Sequence, residues 1–197
     1  MNSLSQKYFL TFGGFECLIE RDDMENDYEL IKLFQDGDKA SFDRLVRRHL
    51  SNTVGFFYTI TRDKMASEDL AQDVFFKLYK SLKKFKFQSA FSTYLYRTNL
   101  NTANSWFTRN KWKKLLHLDQ ILNQQTIDQS VEKEWLNKEL WDAISKLPKK
   151  QRSVVIMRIA EELSYKEISA VTGMSEGTAK VNFHHALNTL KGVLNYE

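Results

Sequence analysis

The sequence predicts an all-α protein of two small helical domains joined by a flexible polar linker, the second a helix-turn-helix domain. Three observations carry that reading. One proline and seven glycines in 197 residues leave few turn signals. Apolar residues recur at three- and four-residue spacing, with no run of strict alternation. One polar, glutamine-rich stretch separates two segments that draw on a 42% apolar composition, enough for ordinary globular cores.

Residues 1–26 carry aromatic side chains without a helical stripe, and Met24 opens a segment of different character. Two readings stand for this stretch: a genuine N-terminal extension, or a mis-called start with Met24 as the first residue. The first domain then occupies residues 27–118. From Asp27 the chain gives ELIKLF, and Gly37-Asp38 supplies a glycine to end one helix and an acidic N-cap for the next. The second helix is long, with Phe42, Leu45, Val46, Val54, Phe57 and Ile60 on one stripe. Ser67-Glu68-Asp69 is expected to start a third helix, acidic where the N-terminal dipole favours it, with Leu70, Val74, Leu78 and Leu82 repeating every four residues. A fourth helix is expected from about Ala90 to Asn110.

Residues 119–133 (DQILNQQTIDQSVEK) are polar and slightly acidic, and form the linker. The second domain, residues 134–197, is small enough for its own core to be marginal, so docking on a partner would help stabilise it. Glu134 to Lys146 reads as a helix through Trp135, Leu136, Leu140, Trp141 and Ile144, and Pro148 opens the next, KKQRSVVIMRIAEEL. Tyr165 to Thr172 is a supporting helix, Gly173 permits a left-handed turn, and Ser175 caps a last helix. On that helix Ala179, Phe183, Ala186 and Leu190 should face inward. Gly177, Val181, His184 and Asn188 should face outward, flanked by Lys180, His185 and Lys191.

Composition bounds the function. A lone Cys17 forms no intramolecular disulfide, no Cys/His cluster has zinc spacing, and a reducing cytosol is the simplest home. No apolar run approaches the roughly 18 residues of a membrane span, and the N-terminus lacks a signal sequence, so a cytoplasmic protein without membrane insertion is expected. The balance of 29 basic and 25 acidic residues, net +4, favours an anionic partner only modestly. Its distribution says more. Between Asp73 and Asp119 there is no acidic residue but ten basic ones, Lys77, Lys80, Lys83, Lys84, Lys86, Arg97, Arg109, Lys111, Lys113 and Lys114. Eleven aromatics are interleaved with them, more than a core is expected to absorb. Basic side chains neutralise phosphates and exposed rings stack on unpaired bases, so this segment reads as a binder of single-stranded nucleic acid. In the C-terminal module the outer face of the last helix suits a major groove, where Val181 can touch a thymine methyl and Asn, His and Lys can reach base edges or phosphate.

That module is not itself basic: residues 164–190 hold two lysines, two glutamates and no arginine. Two other classes compete with the nucleic-acid reading. Glu68, Asp69 and Asp73 would be the start of a metal cluster in an enzyme, but no P-loop, nucleophile or further acidic pair completes it. Adjacent His184 and His185 diverge by about 100° on a helix and make a poor metal site. No cofactor or metal is therefore expected, and no catalytic residue. The remaining alternative is a self-sufficient helix-turn-helix regulator.

The combination resembles a bacterial RNA polymerase sigma factor of the extracytoplasmic-function (ECF) type, from about residue 27 to 194. SEDLAQDVFFKLYKSLKKF looks like the family's polymerase-binding helix, with Asp69, Gln72, Asp73 and Phe75 on its motif. FSTYLYRTNLNTANSWFTRNK looks like the helix that recognises and melts the proximal promoter element, with Tyr94, Leu95, Arg97, Asn101 and Arg109 matching; Lys84 joins this group. LPKKQRSVVIMRIAEELSYKEISAVTGMSEGTAK is similar to the family's distal-element reader, with Ser175, Thr178, Lys180, Val181, Asn182, His184 and His185 on the face that would meet DNA. The resemblance implies a region 2-like domain at 27–118 and a region 4-like domain at 134–197. It implies a non-catalytic subunit that binds core RNA polymerase and promoter DNA, both duplex and melted strand, with the linker threading the polymerase and an anti-sigma factor as a further partner. The sequence departs from the family at Tyr94, where tryptophan is usual, at Thr98-Asn99, where Ile-Ala is usual, and at Val181, Asn182 and His185. Promoter preference therefore does not transfer.

Overall fold

The computed structural model describes the backbone of residues 8–12, 15–19, 26–115 and 131–194, and the side chains of 26–110 and 139–194. Its helical part comprises α1 (Asp27–Gln35), α2 (Lys39–Thr61), α3 (Lys64–Ser81), a 3-10 turn (Leu82–Lys84), α4 (Phe91–Leu115), α5 (Val131–Lys146), α6 (Lys149–Ala160), α7 (Tyr165–Thr172) and α8 (Glu176–Leu194). The fold class is all-α with two helical domains. One addition was not anticipated: strands β1 (Tyr8–Phe12) and β2 (Phe15–Ile19) pair antiparallel, Phe12 opposite Phe15. The Gly13-Gly14 connection between two short aromatic runs is a hairpin signal that a search for helical stripes passes over. The linker sequence lies mostly outside the described residues, and α5 reaches back to Val131.

Local chemistry sets the helix ends. Asn26 and Glu29 form a reciprocal capping box at α1. Gly37, at φ +107°, takes the turn out of α1, and Asp38 then caps α2 through Ala40 N–H. The third helix begins at Lys64 rather than at Ser67, because the Asp63 carboxylate accepts from Ala66 N–H one turn earlier. Glu68 and Asp69 consequently lie in its second turn, where the dipole acts less. Pro148 stands at the N-cap of α6 rather than inside its first turn.

The first domain packs Leu30 and Ile31 of α1, Leu45, Phe57 and Ile60 of α2, and Leu70, Val74, Leu78 and Leu82 of the next segment into one core. Val46 and Val54 lie at its edge, while Phe56 and Thr53 join it. Gln35 clips the start of the following loop by donating to the carbonyls of Leu82 (2.7 Å) and Phe85 (2.9 Å). Phe91, Leu95, Leu100, Ala103 and Phe107 carry α4 across the same core and onward to the second domain.

The second domain gathers Trp141, Ile144, Met157, Ile168, Val171, Ala179, Ala186 and Leu190. Its α6 is unusual in that six consecutive residues, Arg152 to Met157, are buried. A helix buried all round has neighbours on every side, and α6 packs on α5 and α8 and also on α2 and α4 of the first domain. The polar pair on it is satisfied across that boundary. Arg152 Nε donates to Asn104 Oδ1 at 2.9 Å, and Asn104 Nδ2 donates to Ser153 Oγ at 3.2 Å. A second Arg152 donor reaches Ser145 O at 3.0 Å, and burial lowers the guanidinium's pKa. Phe107 of α4 stacks on Trp141 of α5, with 6.3 Å between ring centroids.

Candidate nucleic-acid interface

Three faces hold the residues that the sequence singles out. On α3, Asp69, Gln72 and Asp73 are exposed on the side opposite Leu70, Val74 and Leu78. Phe75 does not share their face: at 6% exposure it is a core residue, so it supports the helix and is corrected as a surface contact. Its neighbour Phe76 is 61% exposed, with the Lys80 ammonium 3.9 Å from its ring centroid. Adjacent positions on a helix differ by about 100°, which is why the motif position and the exposed ring part company.

On α4, Tyr94, Arg97 and Asn101 follow three- and four-residue spacing and so form one stripe, which Arg109 continues two turns on. Lys84 is exposed at the end of the 3-10 turn. Asn101 and Arg109 are also exposed. Tyr94 is half-buried against Phe85, with 5.0 Å between rings. Arg97 is engaged: its Nε donates to Val171 O at 2.8 Å and its Nη2 to Ala170 O at 3.1 Å, both on α7. Beside it Tyr96 bonds Glu161, the residue that ends α6. Burial pushes Glu161 up to about 7, and the Tyr96 hydroxyl only partly offsets it. Tyr96 is itself raised by burial and by the charges of Glu161 and Glu167.

The expectation that several rings of this segment are free to stack on bases is overturned for the described residues. Phe75, Phe91 and Phe107 are buried, and Tyr79, Phe85, Phe87, Tyr94, Tyr96 and Trp106 pack against the core, leaving Phe76 exposed. Trp112 and the lysines at 111, 113 and 114 have side chains outside the described residues. The first domain is so rich in rings because they pair with one another, as in Phe34 with Phe42 and Tyr79 at 5.1 and 5.2 Å. Composition does not reveal such pairing.

The C-terminal module has the expected turn. Ser164 and Glu167 form a capping box at α7, and Gly173 takes φ +76°. Ser175 Oγ then accepts from Thr178 N–H at 3.1 Å to start α8. Ala179, Ala186 and Leu190 are buried, and Phe183 packs edge-on against Tyr165 at 6.1 Å. Outward, Val181 is 55% exposed, and Lys180, His184 and His185 are exposed with it. Thr178 and Ser175 share a hydroxyl–hydroxyl bond of 2.8 Å. Asn182 is corrected as a free base reader: it is half-buried, and its Nδ2 donates to Thr178 O of its own helix at 2.8 Å. Asn188 lies within 3.2 Å of His184 Nε2 and orients that ring. Among the described residues no cluster of three metal-ligating side chains occurs, and no helix is long and apolar enough to cross a membrane.

Comparison with known proteins places these faces in context. Residues 45–113 match the family model described as Sigma-70 region 2, and residues 137–190 match Sigma-70, region 4. The ECF RNA polymerase sigma-E factor of Haemophilus influenzae is 30% identical over 174 residues, covering 81% of this chain and 90% of that protein. Among solved structures, CnrH in complex with the cytosolic domain of CnrY superposes with a TM-score of 0.59 at 20% identity, covering 86% of this chain and 97% of that one. The sigma factor RpoE in complex with the anti-sigma factor NepR, from Bartonella quintana, gives 0.52 at 20% identity over 79% of this chain and 98% of that one. At that identity the two structures speak for the fold alone.

Proposed function

The chain belongs to the extracytoplasmic-function (ECF) family of RNA polymerase sigma factors, and from that premise we propose how its residues divide the work. As a sigma factor it binds core RNA polymerase and promoter DNA and directs promoter-specific transcription initiation. The observation that carries this is the occurrence of both sigma regions, in order, on one chain.

In the division we propose, residues 27–118 form the region 2-like domain, 119–133 the linker that threads the polymerase, and 134–197 the region 4-like domain. The α3 face of Asp69, Gln72 and Asp73 docks on core polymerase, with Phe76 supplying the apolar contact and Lys80 shielding it until then. Lys84, Tyr94, Arg97, Asn101 and Arg109 engage the proximal element and its melted strand. On α8, Lys180, Val181, His184 and His185 read the distal element in the major groove, and Ser175 and Thr178 hold the helix start near the phosphates. The protein supplies contacts and no catalytic group, and it works in the cytoplasm beside the polymerase. An anti-sigma factor restrains it, a reading supported by the similar RpoE of Bartonella quintana, which is held in complex with the anti-sigma factor NepR.

The test is direct. Purified protein is mixed with core RNA polymerase, and promoters are taken from transcription starts mapped after overexpression. A stable complex with promoter-dependent transcription is expected. Tight duplex binding without a polymerase complex would instead make the chain a self-sufficient regulator.

A further inference from the structure

We infer that the chain free of polymerase rests in a closed form, in which α7 of the helix-turn-helix lies on the DNA-facing stripe of α4 and holds Arg97 away from nucleic acid while α8 stays open. The inference rests on the division of roles proposed above, and adds to it a state in which one of the two promoter contacts is switched off.

The geometry points to a fastening rather than to an incidental touch. The last carbonyls of a helix have no partner within it and carry the negative end of its dipole. On α7 the Ser169 carbonyl is taken by Gly173 N–H, and the next two, Ala170 and Val171, are taken by the two guanidinium donors of Arg97. Closure therefore satisfies two carbonyls and one cation at once. Seven residues further along the same α4 stripe, Asn104 uses both ends of its amide on Ser153 and Arg152, and three residues beyond that Phe107 stacks on Trp141. The second domain thus lies along this stripe for three helical turns. A side-chain N–H that donates to a carbonyl is not available to a phosphate or a base, and a helix packed on Arg97 excludes a strand from it. By contrast, Lys180, Val181, His184 and His185 are exposed in the same conformation. The free protein consequently offers its duplex-reading face and withholds its strand-binding one. Melting contacts become available only after the domains part.

The full-length chain tests this without polymerase. Small-angle scattering and binding to a short single-stranded oligodeoxynucleotide are measured for the wild type and for Asn104→Ala, a residue outside every proposed contact, with circular dichroism to verify retained helix. Ser153→Ala, which removes only one acceptor, serves if the larger change does not fold. The wild type is expected to scatter as a compact particle. The variant should be more extended and bind the single strand at least several-fold more tightly, with duplex binding unchanged. An extended wild type, or a variant that opens without any gain in single-strand binding, would overturn the closed form. Failure to bind core polymerase would count against the sigma role and leave the scattering result standing.

Discussion

The Tyr96 hydroxyl and the Glu161 carboxyl meet across the boundary between the two domains, one on α4 and the other at the end of α6. Burial there raises Glu161 from its ordinary 4.5 to about 7, so the carboxyl binds a proton near neutrality only while the domains are together.

Domain closure should therefore depend on pH. A carboxyl raised in the closed state stabilises closure fully below about 4.5, and that contribution is lost as pH rises through about 7. The groups facing it are Tyr96, with Glu167 of α7 acting on the same phenol, and both disfavour further negative charge. Between pH 6 and 8 the ratio of closed to open chain is expected to fall by on the order of tenfold, after allowance for solvent screening of a partly exposed group. Scattering across that range measures it, and Glu161→Gln should flatten the dependence.

Arg152 is a buried cation held by neutral acceptors, Asn104 Oδ1 and Ser145 O, with the Phe107 ring 5.4 Å away. Arg152→Ala would strand both oxygens and leave a void beside the ring. Urea denaturation should show a loss of about 3 kcal/mol. Arg152→Met, which keeps the stem without burying a charge, should lose less.

The neighbouring phenylalanines of α3 should separate fold from docking. Phe75→Ala empties a core position and is expected to cost about 3 kcal/mol or more in thermal or chemical unfolding. Phe76→Ala should leave the melting curve nearly unchanged while weakening retention on immobilised core polymerase. Reversing charge at Asp69 and Asp73 should do the same, and unchanged retention in all three would remove this face from the interface.

Gly173 has open space where a Cβ would stand, so its substitution tests backbone conformation alone. At φ +76°, alanine is strained. Gly173→Ala should destabilise the second domain by about 1 kcal/mol. Duplex affinity should fall with it, even though every side chain of α8 that faces DNA is retained.

The helices were legible because each is written locally: Asn26 with Glu29, Asp38, Ser164 with Glu167, and Gly173 are signals within four residues of the ends they set. The α8 face was equally legible, since a stripe of Ala179, Ala186 and Leu190 fixes what points the other way. Less legible was everything that depends on a partner far along the chain. Asp63 outcompetes Ser67 as a cap only because the loop before α3 presents it, and Phe75 and Phe76 differ only in which side of the helix the core occupies. The rings of the basic segment look available in sequence, yet their partners, such as Phe34 for Tyr79, lie some forty positions away. Arg97 is the sharpest case: its motif marks it for DNA, and nothing near it in sequence tells of Ala170 and Val171.

The burial of α6 on all sides bears on how the protein is handed from one partner to another. When the domains separate, the flank of α6 that carries Arg152 and Ser153 loses its cover, and with it a guanidinium whose acceptor sat on α4. The opened chain is therefore the stickier species, with an interior surface turned outward. Such a protein is best opened on the partner that will hold it. Free in solution, it does better to close again than to wait.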